Sequence, residues 1–111
     1  MSGITTHVLD TSRGCPAAGV PVMLERAVDS VWQPVGHGTT DADGRARDLL
    51  SSAPEAGSYR LSFDTGAYFR AAGEAAFYPE VSVTFVVADG EEHYHLPLLL
   101  SPFGYSSYRG S

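Results

Sequence analysis

A single cysteine, no cluster of basic residues and no long apolar run set the first bounds on this 111-residue chain. One thiol, Cys15, has no second cysteine to pair with. Its place between Gly14 and Pro16 reads as a loop, where a buried or inert thiol is expected rather than a nucleophile. Seven Lys and Arg against thirteen Asp and Glu give a formal charge of −6. Nucleic acids and anionic membrane surfaces both need a concentrated positive field, so neither is an expected partner. The apolar run Phe85 to Ala88, and that from Leu96 to Leu100 with Pro97 counted in, are both far too short to cross a bilayer. Met1 to Ile4 lacks the basic start of a secretory leader, so a cytoplasmic location is expected. The ending Arg109-Gly110-Ser111 is not a peroxisomal address. There is no G-x-G-x-x-G, P-loop, C-x-x-C or nucleophile elbow, which leaves nucleotide and covalent chemistry without a foothold.

What is present points to β-structure. Twelve glycines, seven prolines, six tyrosines and five phenylalanines punctuate a Val- and Leu-rich chain too finely for long helices. Period-two alternation broken by turn residues predicts strands near 5–10, 20–28, 32–40, 58–64, 80–87, 92–100 and 104–110, with a short edge segment at 48–50. Asp41-Ala42-Asp43-Gly44 and Asp89-Gly90 read as turns, and Arg45 stands at the exit of the first. One short helix is predicted over 65–72, capped by Asp64 or Thr65, stopped at Gly73 and docking through Tyr68 and Ala72. The expectation is a single all-β domain over 1–111, a two-sheet antiparallel sandwich of about eight strands with one short helix.

The strand around His93-Tyr94-His95-Leu96-Pro97-Leu98-Leu99-Leu100 puts Tyr94, Leu96, Leu98 and Leu100 on a core face and His93, His95, Pro97 and Leu99 on the other. H-x-H on a strand points two imidazoles the same way about 7 Å apart, a spacing that suits a metal but is as often two solvated histidines. His7 lies opposite Val8 in the first strand, where a lone histidine is usually structural. His37, between two glycines, reads as a bulge or turn residue with no role, and the final seven residues would ordinarily fray. Imidazoles, an arginine, a tyrosine and a terminal carboxylate could together hold a small anionic ligand and activate water.

These pieces resemble the 5-hydroxyisourate hydrolases, the enzymatic branch of the transthyretin family, over essentially the whole chain. The marks are His7-Val8-Leu9-Asp10-Thr11, Asp43-Gly44-Arg45, Phe77-Tyr78-Pro79-Glu80 and, above all, the run from His93 to the closing Tyr108-Arg109-Gly110-Ser111. The resemblance implies a prealbumin-like sandwich assembled as a homotetramer, with active sites in the channel between dimers, and hydrolytic opening of the six-membered ring of 5-hydroxyisourate. It carries His7, Arg45 and His95 over as catalytic residues, and His7, Arg45, Tyr108 and Ser111 as substrate-binding ones. The runner-up is a non-catalytic carrier that binds a small aromatic ligand in the same channel. No cofactor is implied. No metal is expected either, because the Arg45 cation would repel a divalent ion held by His7, His93 and His95. Neither imidazole is singled out as the base.

Overall fold

Side-chain alternation along the first strand decides what the rest of the molecule packs against. In the computed structural model, which describes residues 3–50, 52–89 and 93–110, β1 (Gly3–Asp10) buries Ile4, Thr6, Val8 and Asp10 on one face. Thr5, His7 and Leu9 therefore share the other face. The remaining elements are β2 (Cys15–Pro16), β3 (Pro21–Val28), β4 (Val31–Thr39), β5 (Arg45–Leu50), β6 (Gly57–Phe63), α1 (Thr65–Ala71), β7 (Val81–Val87), β8 (His93–Ser101) and β9 (Gly104–Ser107). One sheet runs β2-β1-β8-β9, with β5 also on β1, and the second runs β4-β3-β6-β7. Between them lies a core built from Val8, Leu24, Leu61, Phe63, Leu96, Leu98 and Leu100. The expected two-sheet sandwich with one short helix is what forms.

Several local readings need correction. One ladder is not antiparallel: β1 and β8 run parallel, with Thr5 opposite His95 and His7 opposite Pro97. A ninth, two-residue strand is present because Cys15 and Pro16 pair with Asp10 and Leu9 on the edge of β1, and the Cys15 thiol is exposed rather than buried. The short edge segment is longer than expected and starts at Arg45, since the turn delivers the chain directly onto β1. The bulge in β3–β4 falls between Leu24 and Glu25, opposite Pro34 to Gly36, while His37 pairs regularly with Met23 and is exposed. The last strand stops at Ser107 instead of Gly110. Pro97 has no N–H to continue the ladder past Leu98↔Ser107, although the same register brings Gly110 back onto His95. Tyr108 and Arg109 thus lie outside the strand. Ser51, Gly90, Glu92 and Ser111 lie outside the described residues.

The helix begins as expected, with the Asp64 side chain accepting a 3.0 Å bond from the Ala67 N–H. Its docking stripe differs, because Thr65, Gly66 and Phe69 are the buried residues and Tyr68 packs at their side. Tyr68 reaches further and donates a 2.6 Å bond to Asp10 Oδ2 at the end of β1. Asp10 has no exposed side-chain surface, and its Oδ1 accepts from the Ser12 hydroxyl and from the Ser12 and Arg13 N–H groups. Burial alone would push this carboxyl up; the bonds from Tyr68, Ser12 and Arg13 outweigh it and hold the group below its ordinary value.

A group held low in the folded state contributes stability that is complete above the ordinary carboxylate range and is lost as pH falls through its folded value. Removing the phenol in Tyr68→Phe should cost about 1.5–3 kcal/mol at neutral pH, the usual worth of a hydrogen bond to a charged group. Urea titrations should show that gap narrowing as Asp10 is protonated. A gap independent of pH would mean that the Asp10–Tyr68 bond is not its source.

Candidate active site

The outer face of the first sheet carries a cavity of about 470 Å³, and most of the residues singled out from the sequence meet there. β1 supplies Thr5 and His7, β5 supplies Arg45 and Arg47, β8 supplies His93, His95 and Pro97, and the tail supplies Tyr108 and Gly110. Pairing explains the convergence. His7 sits opposite Arg45 on one side of β1 and opposite Pro97 on the other, and Thr5 sits opposite His95.

Each catalytic candidate is held from behind. Arg45 is placed by the turn before it: Asp41 Oδ1 accepts from the Asp43 and Arg45 N–H groups, and the Asp41 N–H donates to the Arg45 carbonyl. The bond from the Arg45 N–H, the strongest influence on it, leads the Asp41 carboxyl to lie below its usual value. The turn itself is seated on β1 through a 2.7 Å bond from Val8 N–H to Gly44 O. Gly44 has φ +76°, and a Cβ there would stand 2.4 Å from the Val8 carbonyl oxygen, so only glycine lets Arg45 emerge beside His7.

His95 is fixed on two edges. Its Nδ1 is 2.8 Å from the hydroxyl of Thr5, and its Cδ2 faces Gly110 so closely that a Cβ on that glycine would come within 2.8 Å. Its ring centroid is 6.5 Å from that of His7 and 6.5 Å from that of His93, the latter ring nearly parallel to it. The expected spacing of the H-x-H pair is therefore observed. Among the described residues no group of three His, Cys, Asp or Glu side chains is arranged to hold a metal ion.

The tail does not fray through Gly110. The Ser107 hydroxyl donates to the Pro97 carbonyl, the Gly110 N–H donates to the His95 carbonyl at 2.7 Å, and the Arg109 guanidinium lies 4.2 Å from the centre of the Tyr94 ring. Pro97 faces outward with His95, as expected, and lines the cavity, but the tail covers it so that it is buried within the chain itself; Leu9 and Leu99 stay partly exposed. Tyr108 lines the cavity while remaining largely accessible. Ser111, the other expected tail contact, is outside the described residues.

Three further lining residues had been given no catalytic or substrate-binding role. Arg47 follows Arg45 by two and so shares its face, a relation hidden when the strand is read only from residue 48. Thr5 precedes His7 by two in the same way. His93, given no role, also faces the cavity, and its Nδ1 is buried without a hydrogen-bond partner. With these included, the described lining holds two arginines, three histidines and no carboxylate, in a chain whose net charge is −6. Such a surface concentrates positive potential where the rest of the molecule repels anions. Burial holds the His95 imidazole below the ordinary histidine value, and the Arg45 cation, His7 and His93 push it the same way.

A family model described as the HIUase/Transthyretin family matches residues 4–110. The chain belongs to that family. It is 46% identical to the 5-hydroxyisourate hydrolase of Salmonella dublin, with 97% of this chain and 80% of that protein covered. The solved structure of Klebsiella pneumoniae 5-hydroxyisourate hydrolase superposes with a TM-score of 0.88 at 40% identity, covering all of both chains. Sea bream transthyretin in complex with thyroxine superposes equally well, TM-score 0.88, but at 34% identity over 96% of this chain and 93% of that one. A hydrolase and a thyroxine-binding protein thus share this backbone, and the side chains of the cavity must separate them.

An NMR titration of the histidine side chains checks the electrostatics. His95 should titrate below free histidine. Arg45→Gln should raise its midpoint part of the way back, since removing the cation lowers the penalty for protonation while burial remains. A His95 midpoint unmoved by that substitution would show that Arg45 does not face the imidazole.

Proposed function

We propose that this chain hydrolyses 5-hydroxyisourate to 2-oxo-4-hydroxy-4-carboxy-5-ureidoimidazoline, a step of urate degradation, acting as a cyclic amide hydrolase. The observation that carries the reading is the convergence of His7, His95 and Arg45 on one cavity free of carboxylates among its described lining residues. The substrate is a planar, oxygen-rich ring, and Arg45 offers the flat donor fork that holds such an oxyanion. An imidazole takes a proton from water as its oxygen bonds to the ring carbonyl carbon, and the C–N bond then breaks with the proton passing to the departing ring nitrogen. One ring opens, giving the carboxyl and ureido groups of the product.

Tyr108 and Ser111 are proposed to complete the substrate contacts, and the chain is proposed to act as one domain over 1–111, in the cytoplasm, as a homotetramer. Part-exposed Leu9 and Leu99 beside the cavity, and the exposed side chains of Phe77, Val86 and Phe103, support burial against further copies. No helix among the described residues is long and apolar enough to cross a membrane.

The test follows the absorbance of 5-hydroxyisourate, generated in place by urate oxidase, against its spontaneous decay. The chain should accelerate the loss strongly. Deleting 108–111 removes the Gly110–His95 bond and the Tyr108 wall together, and should lower kcat/KM by roughly two orders of magnitude or more while the sandwich stays folded. Tyr108→Phe should do less harm because the ring still packs. A wild-type chain that leaves the spontaneous rate unchanged, and binds a thyroxine-type ligand in calorimetry, would replace the enzyme by the carrier.

A further inference from the structure

Every other threonine hydroxyl with a donor role in this chain gives its proton to a backbone carbonyl: Thr6 to Leu96, Thr11 to Leu100, Thr40 to Ala17 and Thr65 to Tyr78. Thr5 is different. It is 6% exposed, and the only hydrogen bond of its hydroxyl among the described residues is the 2.8 Å contact with His95 Nδ1. A buried hydroxyl has one proton to place, and here the imidazole nitrogen stands where the others have a carbonyl oxygen.

We infer that the Thr5 hydroxyl donates to His95 Nδ1, so that neutral His95 carries its own proton on Nε2 and meets the cavity as a hydrogen-bond donor, leaving His7 as the base. In the opposite arrangement, Nδ1–H would donate to the hydroxyl and the Thr5 proton would have no acceptor among the described residues. Nε2 is the open nitrogen: no group among the described residues bonds it, and it is not among the buried unpartnered atoms. Among the described residues, the titratable groups that face His95 are His7 from β1, Arg45 from β5 and His93 from β8, and none of them is acidic. Burial and the Arg45 cation favour the neutral ring, which leaves the tautomer as the deciding property.

This division of labour rests on the hydrolase reading and deepens it. Water's oxygen bonds to the ring carbonyl carbon as its proton passes to His7. The His95 Nε2–H holds the carbonyl oxygen while it carries the electron pair released from the C=O bond. The carbonyl re-forms, the C–N bond breaks with its electrons going to nitrogen, and the His7 imidazolium returns the proton to that nitrogen. His95 ends as it began. Thr5 is thus a positioning residue, because it touches His95 and not the reacting atoms.

The tautomer is read directly from long-range 1H–15N correlations of histidine-labelled protein above the His95 titration. Wild type should show Nε2–H at His95, Thr5→Ser should keep it, and Thr5→Val should shift the ring toward Nδ1–H and lower kcat/KM roughly tenfold, the worth of one such bond. His95→Asn, which retains an N–H donor, should keep more activity than His7→Asn. Wild-type His95 found as Nδ1–H would overturn the inference even if 5-hydroxyisourate were turned over. Failure to turn it over would instead remove the reaction and the role of His7 with it, while the tautomer would still be decided by the spectrum.

Discussion

The parallel ladder between β1 and β8 holds Thr5 beside His95 and His7 beside Pro97, and because strand side chains alternate, a slip of one residue would turn the imidazole of the slipped strand into the core and part it from the other. The register is pinned by packing and by side-chain bonds. Inside, Ile4 and Val8 pack against the same cluster as Leu96 and Leu98. Side-chain bonds span the ladder as well, from Thr6 to the Leu96 carbonyl and from Thr11 to the Leu100 carbonyl. Far from the cavity, Asp10, Tyr68 and Arg13 tie the end of β1 to the helix. The sandwich's ordinary stability therefore sets the distance between catalytic groups that lie about ninety residues apart in the chain.

Once β1 is placed, the other contributions are local. The Asp41–Gly44 turn rests on Val8 and delivers Arg45 opposite His7, and Pro97 interrupts the β8–β9 ladder so that Tyr108 and Arg109 leave the sheet before Gly110 rejoins it at His95. The proline and the two glycines work as a set. Pro97 withholds a donor, Gly44 supplies a left-handed turn against a carbonyl, and Gly110 allows backbone to lie on an imidazole edge. Positive groups then collect on one face of an acidic protein without a carboxylate among the described lining to neutralise them. A closely similar backbone is found in complex with thyroxine in sea bream transthyretin, so these side chains and not the fold carry the functional argument.

Alternation and turn chemistry made most strands legible, including β3, β6, β7 and the helix with its Asp64 cap, since these depend on periodicity and local bonding. What escaped depends on partners distant in sequence. Arg45-Ala46-Arg47-Asp48 looks like polar loop until β1 is beside it, and Cys15-Pro16 becomes a strand only on the same edge. Parallel pairing of β1 with β8 has no local mark at all. His7, Arg45 and His95 were named through family motifs, whereas Thr5 and Arg47 emerged from strand parity once the register was known. Parity gave Pro97 its outward face correctly but not the tail that covers it, because parity gives a face, not what covers it.

The account's central claim is that one register assembles a single substrate site from β1, β5, β8 and the tail. A crystal structure with an unreactive planar urate analogue tests it most directly. The analogue should lie in the cavity, its ring oxygens within hydrogen-bonding reach of the Arg45 guanidinium and His95 Nε2, and its carbonyl edge open to a water beside His7. An analogue seated elsewhere on the protein, with Arg45 turned away from His7, would contradict the claim.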